Sequence, residues 1–198
     1  MRNKKIILAS ASPRRRELLE QAGYEFEIQI SHKEENYASV TPEEIVKELA
    51  LLKARDIAEQ NETKDLIIIG ADTVVAHRGT ILGKPKSKED AFDMIKGFQG
   101  DKHQVYTGVA ILGYDADGKE TLVNHAVKTD VYVNPMKDEE IRRYIESDNV
   151  MDKAGSYGIQ SGFAIYIEKI EGDYFNVVGL PISYIYQEIK KLSKERER

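Results

Sequence analysis

Short apolar runs alternate with segments of helical periodicity along this chain. The run Ile6–Ala9 has the length and composition of a buried strand. Ser12 and Pro13 then provide an N-cap and a first helical residue, and Gly23 stands where a helix commonly ends. The N-terminal part of the sequence therefore predicts a strand, a tight turn and a helix in succession.

The same kinds of pattern continue through the rest of the chain. Thr41, Pro42 and Glu44 have the spacing of a capping box at the start of a second helix. Further helices are predicted over Ser87–Lys96, Asp138–Glu146 and Pro181–Leu192. Further strands are predicted over Phe26–Ile30, Leu66–Ile69, Val105–Leu112, Leu122–Val133 and Phe163–Ile170. A hairpin that turns at Arg78-Gly79 is predicted over Val74–Leu82. Because hairpins accompany strand–helix units, we predict an α/β fold with a mixed, twisted sheet and flanking helices, and α+β is the alternative.

Composition places the chain among ordinary globular proteins. Its 198 residues are 41% hydrophobic and 32% charged, which suits one domain or two small lobes and excludes wholesale disorder. The net charge of −5 argues against a nucleic-acid-binding protein, and we expect no nucleic-acid partner. The absence of cysteine excludes disulfides, thiolate metal sites and a cysteine nucleophile. No stretch approaches the roughly 20 apolar residues of a membrane helix, so we expect a cytoplasmic protein. The charged segment Lys190–Arg198 is predicted to be a solvated helix end or tail.

The first candidate for chemistry is the segment that begins the first helix. Arg14, Arg15 and Arg16 stand where the helix dipole already places partial positive charge. Arginines in this position favour a bound anion, and the Ser10 and Ser12 hydroxyls with free backbone N–H groups could hold a phosphate chain. On its own, a solvated basic turn is an equally good interpretation.

Other candidates are charged residues near the ends of predicted strands. Asp72 follows the run that ends at Ile69, at the sheet edge where α/β proteins bind ligands, and it could hold a metal or orient a water. Lys84, between a glycine and a proline, and Lys53, in an apolar helical segment, could each serve a phosphate. Glu35 could supply a metal carboxylate. For each residue alone, a turn cap, an exposed lysine or a solvated carboxylate is the commoner interpretation.

The segment Met151–Gly162 is rich in glycine and fits no regular element. Loops of this kind are often functional, although a simple turn-rich connection is the alternative. Gln160 in this segment carries both a donor and an acceptor, which suits the edge of a nucleobase.

Motifs for several other chemistries are missing from the sequence. It contains no P-loop, no glycine-rich dinucleotide motif, no HExxH zinc motif and no nucleophile elbow, and its four histidines lack metal-ligand spacing. The remaining arginines, lysines and carboxylates suit metal-assisted attack by water on a phosphate ester or anhydride.

Five short motifs are spread over nearly the whole chain. They are ILASASPRR at Ile7–Arg15, GADTVV at Gly70–Val75, LGKP at Leu82–Pro85, DKAGSYGIQ at Asp152–Gln160 and GLP at Gly179–Pro181. Together, and in this order, they resemble the Maf family of nucleoside triphosphate pyrophosphatases. Each motif alone is weak, but five coordinated matches make the resemblance specific.

The resemblance implies a single domain over residues 1–198, with a fold related to inosine triphosphate pyrophosphatases and two lobes that share one active-site cleft. The implied activity is hydrolysis of a nucleoside triphosphate between its α- and β-phosphates, which gives a monophosphate and pyrophosphate. The implied cofactor is a divalent cation, Mg²⁺ or Mn²⁺. The implied partner is the nucleotide substrate, and no nucleic acid or membrane is expected to bind. Whether the protein forms a homodimer stays open.

The matching motifs also assign roles to particular residues. Asp72 would accept the proton of the attacking water and, with Glu35, would hold the metal. Whether Asp72 acts as the base, as a metal ligand or as both stays open. Glu34 is the alternative to Glu35 as the metal ligand. The substrate-selecting residues would be Arg14, Thr73 and Gln160. The residues along the phosphate path would be Ser10, Arg15, Lys53 and Lys84. Ser161 departs from the family, in which glycine is often found at this position.

The residues that flank Asp72 resemble one branch of the family. With Ala71, Thr73 and Gln160, the sequence is similar to the branch that acts on dTTP, UTP and modified uridine triphosphates, whereas the 7-methyl-GTP branch has Gly-Ser-Asp-Gln at the strand end. The Gln160 amide could pair with O4 and N3–H of a pyrimidine. The family is associated with nucleotide house-cleaning and with septum formation in cell division. A nucleotide-binding regulator of septum formation and a purine-directed pyrophosphatase are the alternatives.

Overall fold

The computed structural model describes residues 4–194 as a seven-stranded mixed sheet with helices. The strands are β1 (Lys5–Ala9), β2 (Glu27–Ile28), β3 (Leu66–His77), β4 (Thr80–Leu82), β5 (Lys102–Tyr114), β6 (Glu120–Val133) and β7 (Ile167–Glu171). The helices are α1 (Pro13–Gln21), α2 (Pro42–Glu59), α3 (Lys88–Phe98), α4 (Asp138–Ser147), α5 (Tyr174–Val178) and α6 (Ile182–Lys194).

The strands lie in the order β2-β1-β3-β5-β6-β7, with β4 paired to β3. Strand β1 pairs in parallel with both β2 and β3, whereas β4 and β7 pair antiparallel with β3 and β6. The predicted α/β class with a mixed sheet and flanking helices is therefore confirmed. Within residues 4–194, no helix is long and apolar enough to cross a membrane.

The chain divides into two compact units. The first unit consists of the described residues up to Asp72, of Thr107–Val127 and of the described residues from Gly179 onward. The second unit consists of Thr73–Tyr106 and Lys128–Val178. The single active-site cleft implied by the resemblance stays a prediction.

In the first unit, the apolar face of α2 packs against the sheet. The helix begins as predicted, because the Thr41 side chain accepts a hydrogen bond from the Glu44 N–H. Its buried residues join those of β1, β3 and β5 in one core cluster that includes Ile7, Ala50, Ala54, Ile57, Ile68, Ala110 and Leu112. At Gly70 the helix and β3 approach so closely that a Cβ would lie 2.2 Å from the Ala50 carbonyl oxygen. Glycine is required there for α2 to pack directly on β3.

The second unit is built around buried aromatic side chains. The Phe98 ring lies 4.5 Å from the His103 ring, and the Tyr157 and Phe163 ring centroids are 4.7 Å apart. The Tyr144 ring meets the Phe163 ring edge-on at 5.0 Å. All five residues are buried, so these rings form a continuous core beneath the surface of the unit.

Several predicted element boundaries are wrong. Strand β3 does not end at Ile69 but continues through Asp72, because the apolar residues after it pair with β4 in the predicted hairpin. Phe163 lies in a 3₁₀ helix, Gly162–Tyr166, since its buried ring is held by the aromatic core, and β7 begins only at Ile167. The short helix α5 was not predicted, and the strand predicted over Phe26–Ile30 is reduced to β2. Of the predicted charged C-terminus, residues 195–198 lie outside the described part.

Candidate active site

The parallel pairing of β1 with β3 places the N-terminal motif in the same region of the first unit as Asp72. In this register Ala9 lies opposite Gly70, so Ser10 follows β1 beside the part of β3 that carries Asp72. The side chains of both Ser10 and Asp72 are buried. Sequence analysis predicted Asp72 just past the carboxyl end of the strand, but this residue lies within β3, where the ladder fixes its backbone.

Arg15, in the first turn of α1, is fixed by hydrogen bonds within the first unit. Its Nη1 donates to Ser10 Oγ at 3.1 Å and to the carbonyl oxygen of Ala71 at 2.8 Å. Its Nε donates to the carbonyl oxygen of Gly179 at 2.8 Å. Burial lowers the pKa of Arg15, whereas the nearby Asp72 carboxylate raises it. The predicted phosphate-binding residues Ser10 and Arg15 are therefore in direct contact.

The Gly179 contact gives the last of the five motifs a structural role that the sequence did not reveal. Its carbonyl oxygen accepts from an arginine 164 positions earlier in the chain. The N-cap residue Ser12 occupies the predicted position, but its side chain makes no capping hydrogen bond, and its N–H donates to Ser10 Oγ at 3.3 Å. Arg14 is half-buried next to Arg15.

Lys53 joins two carboxylates in the first unit. Its Nζ lies 2.6 Å from Asp72 Oδ1 and 2.9 Å from Glu35 Oε1. The side chains of Lys53 and Asp72 are only 13% and 12% exposed, so this ion pair is screened much less than a surface pair. Of the two neighbouring glutamates considered, Glu35 makes the contact.

The close packing of α2 on β3 explains how Lys53 reaches Asp72. Lys53 directly precedes Ala54, whose backbone nitrogen would lie 2.9 Å from a Cβ at Gly70. The lysine is thus carried on the turn of α2 nearest to β3. Sequence analysis found Lys53 but not its partner, and the glycine before Ala71 was the signal for this close approach.

The two carboxylates fit a divalent cation that also binds phosphate. Mg²⁺ and cations of similar chemistry are commonly held by one or two carboxylates together with substrate phosphates, not by a cage of protein ligands alone. Within residues 4–194, no group of three or more His, Cys, Asp or Glu side chains could hold a metal by itself. Glu35 and Asp72, which share Lys53, have the oxygen donors that such a shared site needs.

The remaining predicted site residues, Thr73, Lys84 and Gln160, belong to the second unit. Thr73 lies half-buried on β3, and Lys84 and Gln160 are exposed. The carbonyl oxygen of Gly83 accepts a hydrogen bond from the Gly155 N–H at 3.0 Å. This bond brings together the two motifs that contain Lys84 and Gln160.

Comparison with known proteins shows the family of the chain. Residues 5–192 match the family model described as "Maf-like protein". The chain is 51% identical over 180 residues to the dTTP/UTP pyrophosphatase of Alkaliphilus oremlandii, which covers 90% of this chain and 91% of the relative. It is 49% identical over 198 residues to the dTTP/UTP pyrophosphatase of Agathobacter rectalis, with 94% and 97% covered.

Among solved structures, the Staphylococcus aureus Ham1 protein matches with a TM-score of 0.41 and 15% identity, over 68% of this chain and 74% of that one. The family follows from the sequence matches, which extend over nearly all of both chains. This chain therefore belongs to the Maf-like protein family.

Proposed function

We propose that this protein is a nucleoside triphosphate pyrophosphatase that hydrolyses dTTP and UTP, and modified uridine triphosphates, to the monophosphate and pyrophosphate. The observation that carries the proposal is the cluster in the first unit in which Lys53 contacts both Asp72 and Glu35, while Arg15 is bonded to the backbone next to Asp72. It combines cations suited to phosphates with carboxylates suited to a metal and a water. Relatives that are about half identical over nearly the whole chain carry the name dTTP/UTP pyrophosphatase.

In this proposal, Asp72 orients the attacking water and accepts its proton. The water oxygen forms a bond to the α-phosphorus, the bond from the α-phosphorus to the bridging oxygen breaks, and pyrophosphate leaves with that electron pair. Lys53 fixes the Asp72 carboxylate by direct contact. Because carboxylates are weak bases near neutral pH, a divalent cation held by Glu35 and Asp72 would supply the further activation of the water.

Charge on the triphosphate is stabilised by the cationic side chains. Arg15 is pre-oriented by its bonds to Ser10 and Ala71, so it loses little conformational freedom when it meets a phosphate. We assign Lys53 and Lys84 to the phosphate path as well. The surplus of acidic residues in the chain supports a free nucleotide, not a nucleic acid, as the substrate.

We assign base selection to Gln160, together with Arg14 and Thr73. An amide can accept from N3–H and donate to O4 of uracil or thymine. Cytosine has an amino group at position 4 and no N3–H, so an amide held in the orientation that fits uracil or thymine would leave polar groups unpaired, and such mismatches are rejected strongly. Action on modified pyrimidine nucleotides in the cytoplasm, and a role in septum formation, rest on the family resemblance alone.

Pyrophosphate release by the purified protein tests the proposed function. The assay compares dTTP, UTP, CTP, GTP, ATP and 7-methyl-GTP, each with Mg²⁺ or Mn²⁺ and with chelator as the control. We expect preferential conversion of dTTP and UTP to monophosphates, which stops when the metal is removed. Tight binding of nucleotide without turnover would instead indicate a nucleotide-binding regulator.

A further inference from the structure

Gln160 is displayed on a tight turn formed by residues Gly158–Ser161. The Ser161 N–H donates to the Gly158 carbonyl oxygen at 3.1 Å, and the Ser161 hydroxyl donates to the same oxygen at 2.9 Å. Gln160 itself is exposed. Two hydrogen bonds thus close the turn, and the Gln160 amide lies at its tip.

Tyr144 of α4 holds the first residue of this turn. Its hydroxyl oxygen accepts a hydrogen bond from the Gly158 N–H at 3.2 Å. Its ring packs edge-on against Phe163 at 5.0 Å, and the residue is only 3% exposed. Burial raises the pKa of Tyr144 above its ordinary value, so the hydroxyl stays neutral near pH 7 and can accept and donate at once.

An ion pair between Asp148 and Lys153 lies close to Tyr144 and Ser161. Burial raises the pKa of Asp148, but the Ser161 hydroxyl, the charge of Lys153 and the Tyr144 hydroxyl outweigh burial and hold it below its usual range. Lys153 Nζ lies 3.4 Å from Asp148 Oδ1. The lysine chain passes under Gly158, where a Cβ would lie 3.0 Å from Lys153 Cε. A side chain at the start of the turn would therefore require the end of the lysine chain to shift.

Both flanks of the turn are anchored in the aromatic core. Tyr157 precedes Gln160 and Phe163 follows it, and both are buried with ring centroids 4.7 Å apart. The Tyr157 hydroxyl lies 2.6 Å from His103 Nε2. The backbone on either side of the turn is thus held at a fixed separation, and the orientation of the tip depends on the bonds within the turn and to Tyr144.

We infer that Tyr144 is a positioning residue, which together with Ser161 fixes the Gly158–Ser161 turn and thereby aims the Gln160 amide at the base. The inference rests on the proposed function, in which Gln160 distinguishes uracil and thymine from cytosine. Paired hydrogen bonds depend steeply on angle and distance, so a loosened turn costs discrimination. Hydrolysis of the phosphoanhydride does not use this amide.

Tyr144→Phe is the principal test, because it removes the acceptor of the Gly158 N–H and keeps the ring. We expect the ratio of kcat/KM for UTP over CTP to fall about tenfold, chiefly through a higher KM for UTP, with kcat changed by about twofold or less. The matched control is Tyr114→Phe in the first unit: Tyr114 is 5% exposed and donates to Glu120 Oε2 at 2.8 Å. This control should leave the ratio unchanged. Ser161→Ala should lower it by a smaller factor.

A double-mutant cycle separates positioning from a merely structural role. If Tyr144 acts through Gln160, then Tyr144→Phe changes the ratio in the wild-type background and has no further effect when Gln160 is already alanine. A ratio that Tyr144→Phe leaves unchanged, or the same loss in both backgrounds, overturns the inference.

Amide hydrogen exchange gives a readout that needs no activity. We expect faster exchange in Tyr144→Phe within residues 158–161 and no change in the first unit. If the wild type prefers UTP but residues 158–161 exchange at the same rate in the wild type and in Tyr144→Phe, the inference is rejected and the proposed function stands. A wild type that hydrolyses no nucleotide rejects the proposed function, and the role of Tyr144 in base selection with it.

Discussion

The first unit holds its candidate residues by charge, whereas the second unit holds Gln160 by packing and neutral hydrogen bonds. In the first unit, Lys53 lies between two carboxylates, and the half-buried Arg15 lies close to one of them, Asp72. In the second unit, an exposed amide stands on a turn supported by Tyr144 and the aromatic core. Removing a charge in the first unit should therefore abolish the reaction, while loosening the turn should change which base is accepted.

The largest expected effect is at Asp72. Asp72→Asn keeps the shape but removes the proton acceptor, so we expect pyrophosphate release to fall about a thousandfold. The matched control is Asp130→Asn in the second unit, since the Asp130 carboxylate is 15% exposed and contacts Lys102 and Lys128 at 3.1 and 3.2 Å. The control should retain activity, and thermal denaturation should show that both variants fold. Near-normal turnover in Asp72→Asn would contradict the role given to the carboxylate.

The packing that places Lys53 can be tested through Gly70. In Gly70→Ala the new methyl would lie 2.2 Å from the Ala50 carbonyl oxygen, so α2 must move away from β3. We expect the free energy of unfolding in urea to fall by about 3 kcal/mol, the upper range for overpacking. Gly97→Ala is the control, because that exposed helical glycine has nothing within 4 Å of its Cβ position. It should raise stability by about 0.5 kcal/mol. Equal stability of the two variants would show that α2 does not need Gly70.

The selectivity assigned to the second unit can be tested through Gln160. Gln160→Ala should lower the ratio of kcat/KM for UTP to kcat/KM for CTP at least about tenfold, because the edge of the uracil base loses the Gln160 amide as its hydrogen-bond partner. Since Gln160 is exposed, the melting temperature should hardly change. The exposed Gln187 on α6 offers a control substitution to alanine. An equal loss for every nucleotide would assign Gln160 to general binding and not to base selection.

The last expected effect is a pH dependence of stability, which arises from a buried histidine of the aromatic core. Burial, and then the neighbouring His77, lower the pKa of His103 to about 3. In the unfolded chain histidine titrates near 6.5, so the unfolded state binds more protons between these values and stability falls as pH drops. Between pH 7 and pH 5 we expect the free energy of unfolding to decrease by about 2 kcal/mol.

His103→Gln should remove this decrease, whereas His32→Gln, at an exposed histidine, should retain it. Measurements above pH 5 avoid the carboxylates with lowered pKa, such as Asp101, whose contribution is lost at lower pH. The same slope in His103→Gln as in the wild type would mean that this histidine is not buried in its neutral form.

The sequence predicted best those elements whose signals, such as caps and tight turns, lie within a few neighbouring residues. The Thr41 cap, the N-terminal helix after Ser12 and the hairpin turn at Arg78-Gly79 are examples, and both turn residues have the positive φ that such a turn requires. The course of β3 through Asp72 was not predicted, because a polar residue within a strand looks like its end until the pairing partner is known.

The partners within the sites could not be predicted from local patterns. Lys53 and Asp72 are brought together by the approach of a helix to a strand at Gly70, which depends on the packed fold. Tyr144 resembles any other core residue on the buried face of α4, and its bond to Gly158 spans 14 positions. The roles given to Arg14, Thr73 and the divalent cation stay predictions.

The most direct test of the central claim follows the oxygen of the attacking water. UTP is hydrolysed with Mg²⁺ in ¹⁸O-labelled water, the products are separated, and the ¹⁸O content of each is measured by mass spectrometry. Attack at the α-phosphorus predicts one labelled oxygen in UMP and none in pyrophosphate. Label in the pyrophosphate, or release of inorganic phosphate with UDP, would contradict the account.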